Sequence, residues 1–366
     1  MPNLEELDPN FKVKQEYDQK GITFYNIEEE PFKIYGIKKQ STEAEPHGQY
    51  CRMDHEVSKN VSYNVTWLNY NTAGGRVRFK TNSPTVTILF TQSGIPNYSH
   101  MCRVGSSGFD LYVEKDDGSS VYVNSFIPPF DKKDGFVSTM DIAHIAAVVG
   151  IGRDEMKNVC INFPLYSNVL DMQIGLKNDA LIEAPRPYTI EKPIVFYGSS
   201  ITQGGCASRP GNSYQGFISR RFDCDYLNLG YAGSAKGEPA ASEYIKNLDM
   251  SVFVYDYDYN APDLKHLEAT HEAFFKVVRD AHPDLPIIIM SRPYFLDGPE
   301  TVSRREIIEA TYNNALKSGD KNVYFLNGNQ LMAIAGNDGT VDGCHPNDLG
   351  FFSMAQALIK VLENIL

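Results

Sequence analysis

Three things are scarce in this sequence, and each absence removes a class of function. Positive charge is short: 34 Lys and Arg stand against 46 Asp and Glu, a formal net charge of -12. No basic stripe is left to neutralise phosphates, which supply most nucleic-acid affinity, so a nucleic-acid partner is not expected. The same acidity repels anionic lipid headgroups. Long apolar runs are missing too, none approaching the roughly 18 to 20 residues of a spanning helix, so no membrane partner is expected. Paired cysteine spacing is the third absence. The six cysteines (Cys51, Cys102, Cys160, Cys206, Cys224, Cys344) show no C-x-x-C, which argues against a zinc ribbon or a thioredoxin-like site. The start, Met1-Pro2-Asn3-Leu4-Glu5-Glu6, has neither the basic residues nor the apolar core of a secretion leader. A cytoplasmic protein with free thiols is the expectation.

What is present is an ordinary globular composition, 42% hydrophobic and 22% charged, in a chain of 366 residues. That length is large for one core, so two domains are expected. From Phe11 to about Leu181 short alternating segments alternate with turn residues, as in Asn69–Ser83 and Thr85–Phe90. Gly108–Glu114, Asp117-Gly118 and Ser120–Asn124 read as a hairpin with a D-G turn. Many strands with almost no helical periodicity predict an all-β sandwich or jelly roll over residues 1–186.

Prolines in Glu183–Pro187 (EAPRP) break that pattern, and residues 187–366 alternate buried strands with amphipathic helices. Strands are predicted at Ile194–Tyr197, Tyr226–Leu229, Val252–Tyr255, Ile287–Met290 and Val323–Leu326. Between them Leu264, Leu267, His271, Phe274, Phe275, Val278 and Ala281 recur at helical spacing, and Ser303 with Glu306 has the form of a capping box. Asn347 or Asp348 is positioned to cap a final helix from about Leu349. The pattern predicts a flavodoxin-like, doubly wound parallel α/β sheet with its ligand site beyond the carboxyl ends of the strands.

Reactive residue types sit where that topology wants them. Directly after the first predicted strand comes Gly198-Ser199-Ser200-Ile201, followed by Thr202, Gln203, Gly204 and Gly205. A serine hydroxyl is a weak nucleophile until a base takes its proton and a third group orients that base. The last loop before the terminal helix, Asp342-Gly343-Cys344-His345-Pro346, carries both a carboxylate and an imidazole three residues apart.

These blocks resemble those of the SGNH or GDSL-type hydrolases, a family of esterases and lipases. Its G-D-S-[LI] block is similar to Gly198–Ile201, which implies Ser200 as nucleophile and places Ser199 where most members carry Asp, leaving two adjacent hydroxyls in competition. The glycine block resembles Asn228–Gly233 and implies Gly233, or otherwise Gly230, as an oxyanion donor. The G-x-N-D block is matched by Asp258-Tyr259-Asn260-Ala261 without its Gly and final Asp, and implies Asn260 as a further donor beside the Ser200 N–H. The D-x-x-H block matches Asp342 and His345 in full. Gly108-Phe109-Asp110-Leu111-Tyr112 is similar to the G-x-D-L-Y segment of a domain preceding one branch of the family.

The resemblance implies a serine ester hydrolase working through an acyl-enzyme, with no cofactor and no metal. Its substrate is expected to be a short-chain acyl ester, such as an acetyl group on a carbohydrate or other small hydroxylated compound. A lysophospholipase or thioesterase on the same residues is the alternative, and a catalytically silent carbohydrate-binding protein is another. Arg209, Tyr214, Tyr257 and Tyr294 are candidates for lining the pocket. Cys206 and Cys344 flank two of the blocks and are a conceivable redox pair. His266, Glu268 and His271 lack H-E-x-x-H spacing and lie on a helix with a clear apolar face, which argues against a metal site there. No G-K-[ST] follows Gly205, which argues against a phosphate loop, and Gly198–Thr202 reads G-x-S-x-T rather than the G-x-S-x-G of an α/β-hydrolase elbow.

Overall fold

A computed structural model describes residues 7–8, 21–129, 136–294 and 296–366. The opening residues Met1 to Glu6, read above for a leader, and Phe11, the expected start of the strand-rich half, lie outside them. Among the described residues no helix is long and apolar enough to cross a membrane.

Among the described residues the N-terminal half holds two large antiparallel sheets, beside a two-stranded one made of Lys38–Gln40 and Gln49–Cys51. One has four strands in the order Ile22–Asn26, Asp171–Lys177, Thr85–Thr91, Phe136–Asp141. The other runs Ile182–Glu183, Arg76–Thr81, Lys157–Asn162, Phe109–Glu114, Ser120–Phe126, with Lys33–Tyr35 also paired to Arg76–Thr81. Their inward side chains, among them Val77, Phe79, Ile88, Phe109, Leu111, Ile161 and Ile174, form one buried core, as alternating strands packed face to face require. The D-G hairpin is present: Glu114 faces Ser120, and Gly118 takes the positive φ (87°) that makes glycine suited to the turn.

From Ile190 the second rhythm begins. Strands β1 (Ile190–Gly198), β2 (Cys224–Gly230), β3 (Val252–Asp256), β4 (Ile287–Met290) and β5 (Val323–Leu326) form a parallel sheet in the order β2-β1-β3-β4-β5. That 2-1-3-4-5 order is the flavodoxin-like winding, with its switch point between β1 and β3. Helices α1 (Ser200–Gln203), α2 (Tyr214–Phe222), α3 (Pro239–Ile245), α4 (Leu264–Ala281), α5 (Pro299–Lys317), α6 (Gly328–Leu331) and α7 (Asp348–Leu362) join and cover the strands. Separate buried clusters occupy the two faces: Phe196, Val254, Ile288, Phe351 and Leu358 on one, Val195, Phe253, Ile287, Leu267 and Phe274 on the other. Asn347 caps α7, its side chain accepting from Gly350 N. The expected cap at Ser303 is corrected: α5 starts at Pro299 after Gly298, and Ser303 lies inside it. Proline at the first turn costs nothing there, because its missing N–H would have been unpaired anyway.

The expectation of an N-terminal half almost free of helix is also corrected. Helices His55–Val61 and Tyr63–Leu68, capped by Asp54 and Ser62, leave the sandwich and pack Val65 and Leu68 into the core of the parallel sheet. Charge fastens the halves together. Buried Arg52 donates to the carbonyls of Asn228, Gly230 and Leu68 and lies 4.4 Å over the Tyr231 ring. Buried Arg76 pairs with Asp225 and lies 3.9 Å over Tyr226. Asp110, fully buried within the Gly108–Tyr112 segment, accepts from Asn162 Nδ2 (2.7 Å), Gly211 N (2.8 Å) and Arg209 Nη1 (2.9 Å). A buried carboxylate needs such partners, and two of them belong to the other half of the chain.

Candidate active site

β1 ends at Gly198, where close packing demands glycine, since a Cβ would overlap the Asp256 carbonyl oxygen of β3. The next residue, Ser199, is fully buried, and its side chain accepts from Ile201 N as the N-cap of α1. Its hydroxyl is therefore occupied with the helix start. Ser200 is the first helical residue, on the side that faces the last loop.

That loop is built to present an imidazole. Val341 N donates to His345 O, Gly343 takes φ 82°, and Cys206 N reaches across from beyond α1 to Pro346 O at 2.9 Å. His345 Nε2 lies 2.9 Å from Ser200 Oγ, and its Nδ1 lies 2.7 Å from Asp342 Oδ2. The other carboxylate oxygen accepts the backbone N–H groups of His345 (2.7 Å) and Cys344 (3.0 Å). An ionised carboxylate can only accept, so the ring proton sits on Nδ1 and the Nε2 lone pair faces the serine.

Burial raises the pKa of Asp342, but the hydrogen bonds from the His345 ring and the two N–H groups outweigh it and hold the carboxyl at about 2. In the unfolded chain an aspartate titrates near ~3.9. A depressed folded value means the stabilising contribution is complete above the unfolded pKa and is lost as pH falls toward about 2. Asp342 thus stays ionised throughout the range in which imidazoles titrate. No proton uptake by Asp342 is expected above the ordinary aspartate range near ~3.9; a protonated-carboxyl infrared band above that pH that disappears in Asp342→Asn would show the opposite.

The hydroxyl and imidazole open into a cavity of about 380 Å³. Much of its wall comes from the N-terminal half: Trp67, Leu68, Tyr98, His100, Met101 and Tyr166. Tyr166 also donates its hydroxyl to Ser200 O at 2.9 Å, tying that wall to α1. None of these six was a candidate from sequence. They lie on three separate segments, and no local motif marks them.

The expected lining residues are elsewhere. Tyr214 is fully buried and stacked on Phe351. Tyr257 is buried with its hydroxyl on Thr270 Oγ1. Arg209 is spent on Asp110 and on the Tyr122 ring, 3.9 Å away. Tyr294 is half-buried beside Gly328 and is not part of the cavity wall.

Of the candidate oxyanion donors, Ser200 and Gly233 carry backbone N–H groups with no hydrogen-bond partner among the described residues. Gly233 takes φ 63° in the turn after β2. Gly230, the alternative, donates to Asn228 Oδ1 at 2.9 Å, so its N–H is committed. Asn260 uses one amide hydrogen on Tyr231 O at 3.0 Å, which leaves its second free for another acceptor. Behind it Asp258, buried, pairs with Arg292 and Arg304, and Arg304 Nη2 also donates to the carbonyls of Asp258 and Ala261 on either side of Asn260.

Cys206 and Cys344 are both free thiols. Burial, together with the charge of Asp342 and the neighbouring Cys344, pushes the Cys206 thiol up to about 12. His266 Nε2 is bound to Lys236 O and His271 Nδ1 to Thr311 Oγ1, so the helix imidazoles serve packing and capping.

Comparison with known proteins agrees with this layout. Residues 191–363 match the GDSL-like lipase/acylhydrolase family, and residues 22–182 match the N-terminus of SGNH hydrolase-type esterases. No curated protein matches the chain. Among solved structures, a protein assigned as a GDSL-like lipase from Bacteroides ovatus is 29% identical, with TM-score 0.78 over 94% of this chain and 98% of its own. A salicylyl-acyltransferase from a tetracycline biosynthetic pathway is 18% identical, with TM-score 0.74 over the same shares, 94% and 98%. An acetyl xylan esterase from the rumen bacterium Butyrivibrio proteoclasticus is 13% identical, with TM-score 0.56 over 93% and 98%. At such identities the last two show a shared fold. With each half matched by its own family description, the chain belongs to the GDSL-like lipase/acylhydrolase family, as an SGNH-type esterase that carries the associated N-terminal β unit.

Proposed function

We propose that this esterase works through an acyl-enzyme on Ser200, with His345 as base and then acid and Asp342 as the group that orients it. The observation that carries the reading is the relay at the cavity floor, 2.9 Å from hydroxyl to Nε2 and 2.7 Å from Nδ1 to carboxylate. Ser200 Oγ attacks the ester carbonyl and its proton passes to Nε2. The oxyanion is met by the N–H groups of Ser200 and Gly233 and the amide of Asn260. The C–O bond to the alcohol breaks as His345 returns the proton to the leaving oxygen, and water repeats the sequence to release the acid. Asp342 stays ionised and holds the imidazolium between the two transfers.

The substrate we infer is a short-chain acyl ester of a hydroxylated compound such as a carbohydrate. The shared fold of the acetyl xylan esterase supports this, as does Trp67, 63% exposed at the cavity wall, whose ring face suits a sugar. A second reading, hydrolysis of longer acyl esters or thioesters, is favoured by the apolar side chains of Leu68 and Met101 in the same wall. A p-nitrophenyl series from acetyl to octanoyl, run beside acetylated xylan and an acyl thioester, separates them. The expected outcome is highest kcat/KM for acetyl, release of acetate from the glycan, and an acylated peptide containing Ser200 after rapid quenching. A preference for octanoyl would transfer the assignment to the second reading, and failure to acylate Ser200 with any ester would end both.

A further inference from the structure

At the same cavity floor His100, Cys206 and His345 each offer a ligand atom, and the three atoms lie within 4.8 Å of one another. Among the described residues no other set of His, Cys, Asp or Glu side chains forms such a group. We propose that His100, Cys206 and His345 form a site for zinc or an equally soft divalent ion, and that filling it switches ester turnover off. The proposal rests on the reading of His345 as the base only for its consequence. The binding stands on geometry and ligand chemistry.

Two imidazoles and a thiolate form a donor set that zinc accepts and that magnesium and calcium, which prefer oxygen, do not. Zinc bond lengths of about 2.0 to 2.3 Å place tetrahedral ligand atoms roughly 3.3 to 3.6 Å apart, so the group must draw in by about an ångström. His100 can supply that movement. It is exposed, and its ring stands 5.7 Å from that of His345 at a tilt of 49°, so a side-chain rotation is enough. The other two ligands are already fixed relative to one another, because Cys206 N donates to Pro346 O, next to His345.

Asp342 on Nδ1 occupies the position of the outer carboxylate in a carboxylate–histidine–zinc arrangement, which orients the ring and strengthens Nε2 as a donor. The cavity that admits the ester also admits the ion, and solvent or Ser200 Oγ completes the fourth position. On binding, the thiol proton of Cys206 leaves to solvent and the Nε2 lone pair goes to the metal. Ester hydrolysis needs that same lone pair for the Ser200 proton, so the two uses exclude one another.

The test uses the full chain, stripped with a chelator and titrated with zinc chloride by calorimetry, and with cobalt(II) by absorption. One ion per chain is expected, with cobalt giving a thiolate-to-metal band in the near ultraviolet that Cys206→Ser abolishes. His100→Ala and the milder His100→Gln are expected to weaken zinc binding at least ~10-fold, by analogy with the loss of supporting groups at metal sites. Turnover of p-nitrophenyl acetate should fall in proportion to occupancy and return with EDTA. Absence of stoichiometric binding, or binding unchanged by Cys206→Ser and both His100 variants in proteins with native circular dichroism, would overturn the proposal. Heat and absorption are read without turnover, so a failed esterase assay leaves this result independent.

Discussion

Ser200→Ala is expected to lower kcat for p-nitrophenyl acetate by ~10⁴- to 10⁶-fold and to abolish the burst, the range found when a serine-hydrolase nucleophile is removed. The residual rate belongs to binding and to the oxyanion donors, which the substitution leaves in place. Ser199→Ala is the informative control. Its hydroxyl faces Ile201 N and is buried, so its loss removes a helix cap, at about 1 kcal/mol of stability, while the burst remains. Burst amplitude and a urea melt on both variants check the pair. A silent Ser199→Ala beside an active Ser200→Ala would reverse the assignment of the nucleophile.

The second large effect is expected at Asp258, outside the cavity wall. This carboxylate, 1% exposed, accepts Arg292 N at 2.9 Å and Arg304 Nε at 2.7 Å, and its other oxygen contacts with Arg292 are near 3.3 Å. Asp258→Ala leaves the buried guanidinium of Arg304, and the half-buried one of Arg292, without their counter-charge, which costs about 3 to 5 kcal/mol for the buried pair. Glu300 lies 3.5 Å from Arg304 but is 71% exposed, where an ion pair contributes only ~0 to 1 kcal/mol and cannot compensate. Arg304 also holds the carbonyls that bracket Asn260, so the turn carrying that amide loosens and kcat falls more than KM rises. Denaturant unfolding and steady-state kinetics measure the two consequences. An Asp258→Leu, Arg304→Met double variant that regains stability without regaining kcat would separate the charge effect from the positioning effect. Unchanged unfolding in Asp258→Ala would show that the network contributes nothing.

Local pattern exposed much of this molecule. Val252–Tyr255, Ile287–Met290 and Val323–Leu326 are continuous apolar runs because both faces of a parallel sheet are covered, and strands stand at all three. The D-x-x-H loop was legible because Asp342 and His345 are sequence neighbours whose contact needs only one turn of backbone. The helices at His55–Val61 and Tyr63–Leu68 were missed although Val57, Val61, Val65 and Leu68 have helical spacing. The stretch is short, polar between those positions, and set among strands. Arg209 and Tyr214 are candidates for the pocket because they stand near the nucleophile in sequence, and Tyr257 and Tyr294 because they follow strands; neither rule says which way a side chain turns. Three of the four went to interface pairing or to the interior, where Asp110, Phe351 and Thr270 offered better partners than solvent.

Sequence alone thus determined the two rhythms and the parallel sheet, which depend on periodicity, and singled out Ser200, Asp342 and His345 as candidates from short blocks of neighbouring residues. Tertiary structure decided which serine reaches the cavity, what closes it and where buried arginines are neutralised. Those outcomes come from contacts between segments far apart in the chain, 34 residues for Tyr166 with Ser200 and 99 for Arg209 with Asp110, and such contacts leave no periodic trace along the chain. Packing, which chooses among partners only once the chain has collapsed, made those choices.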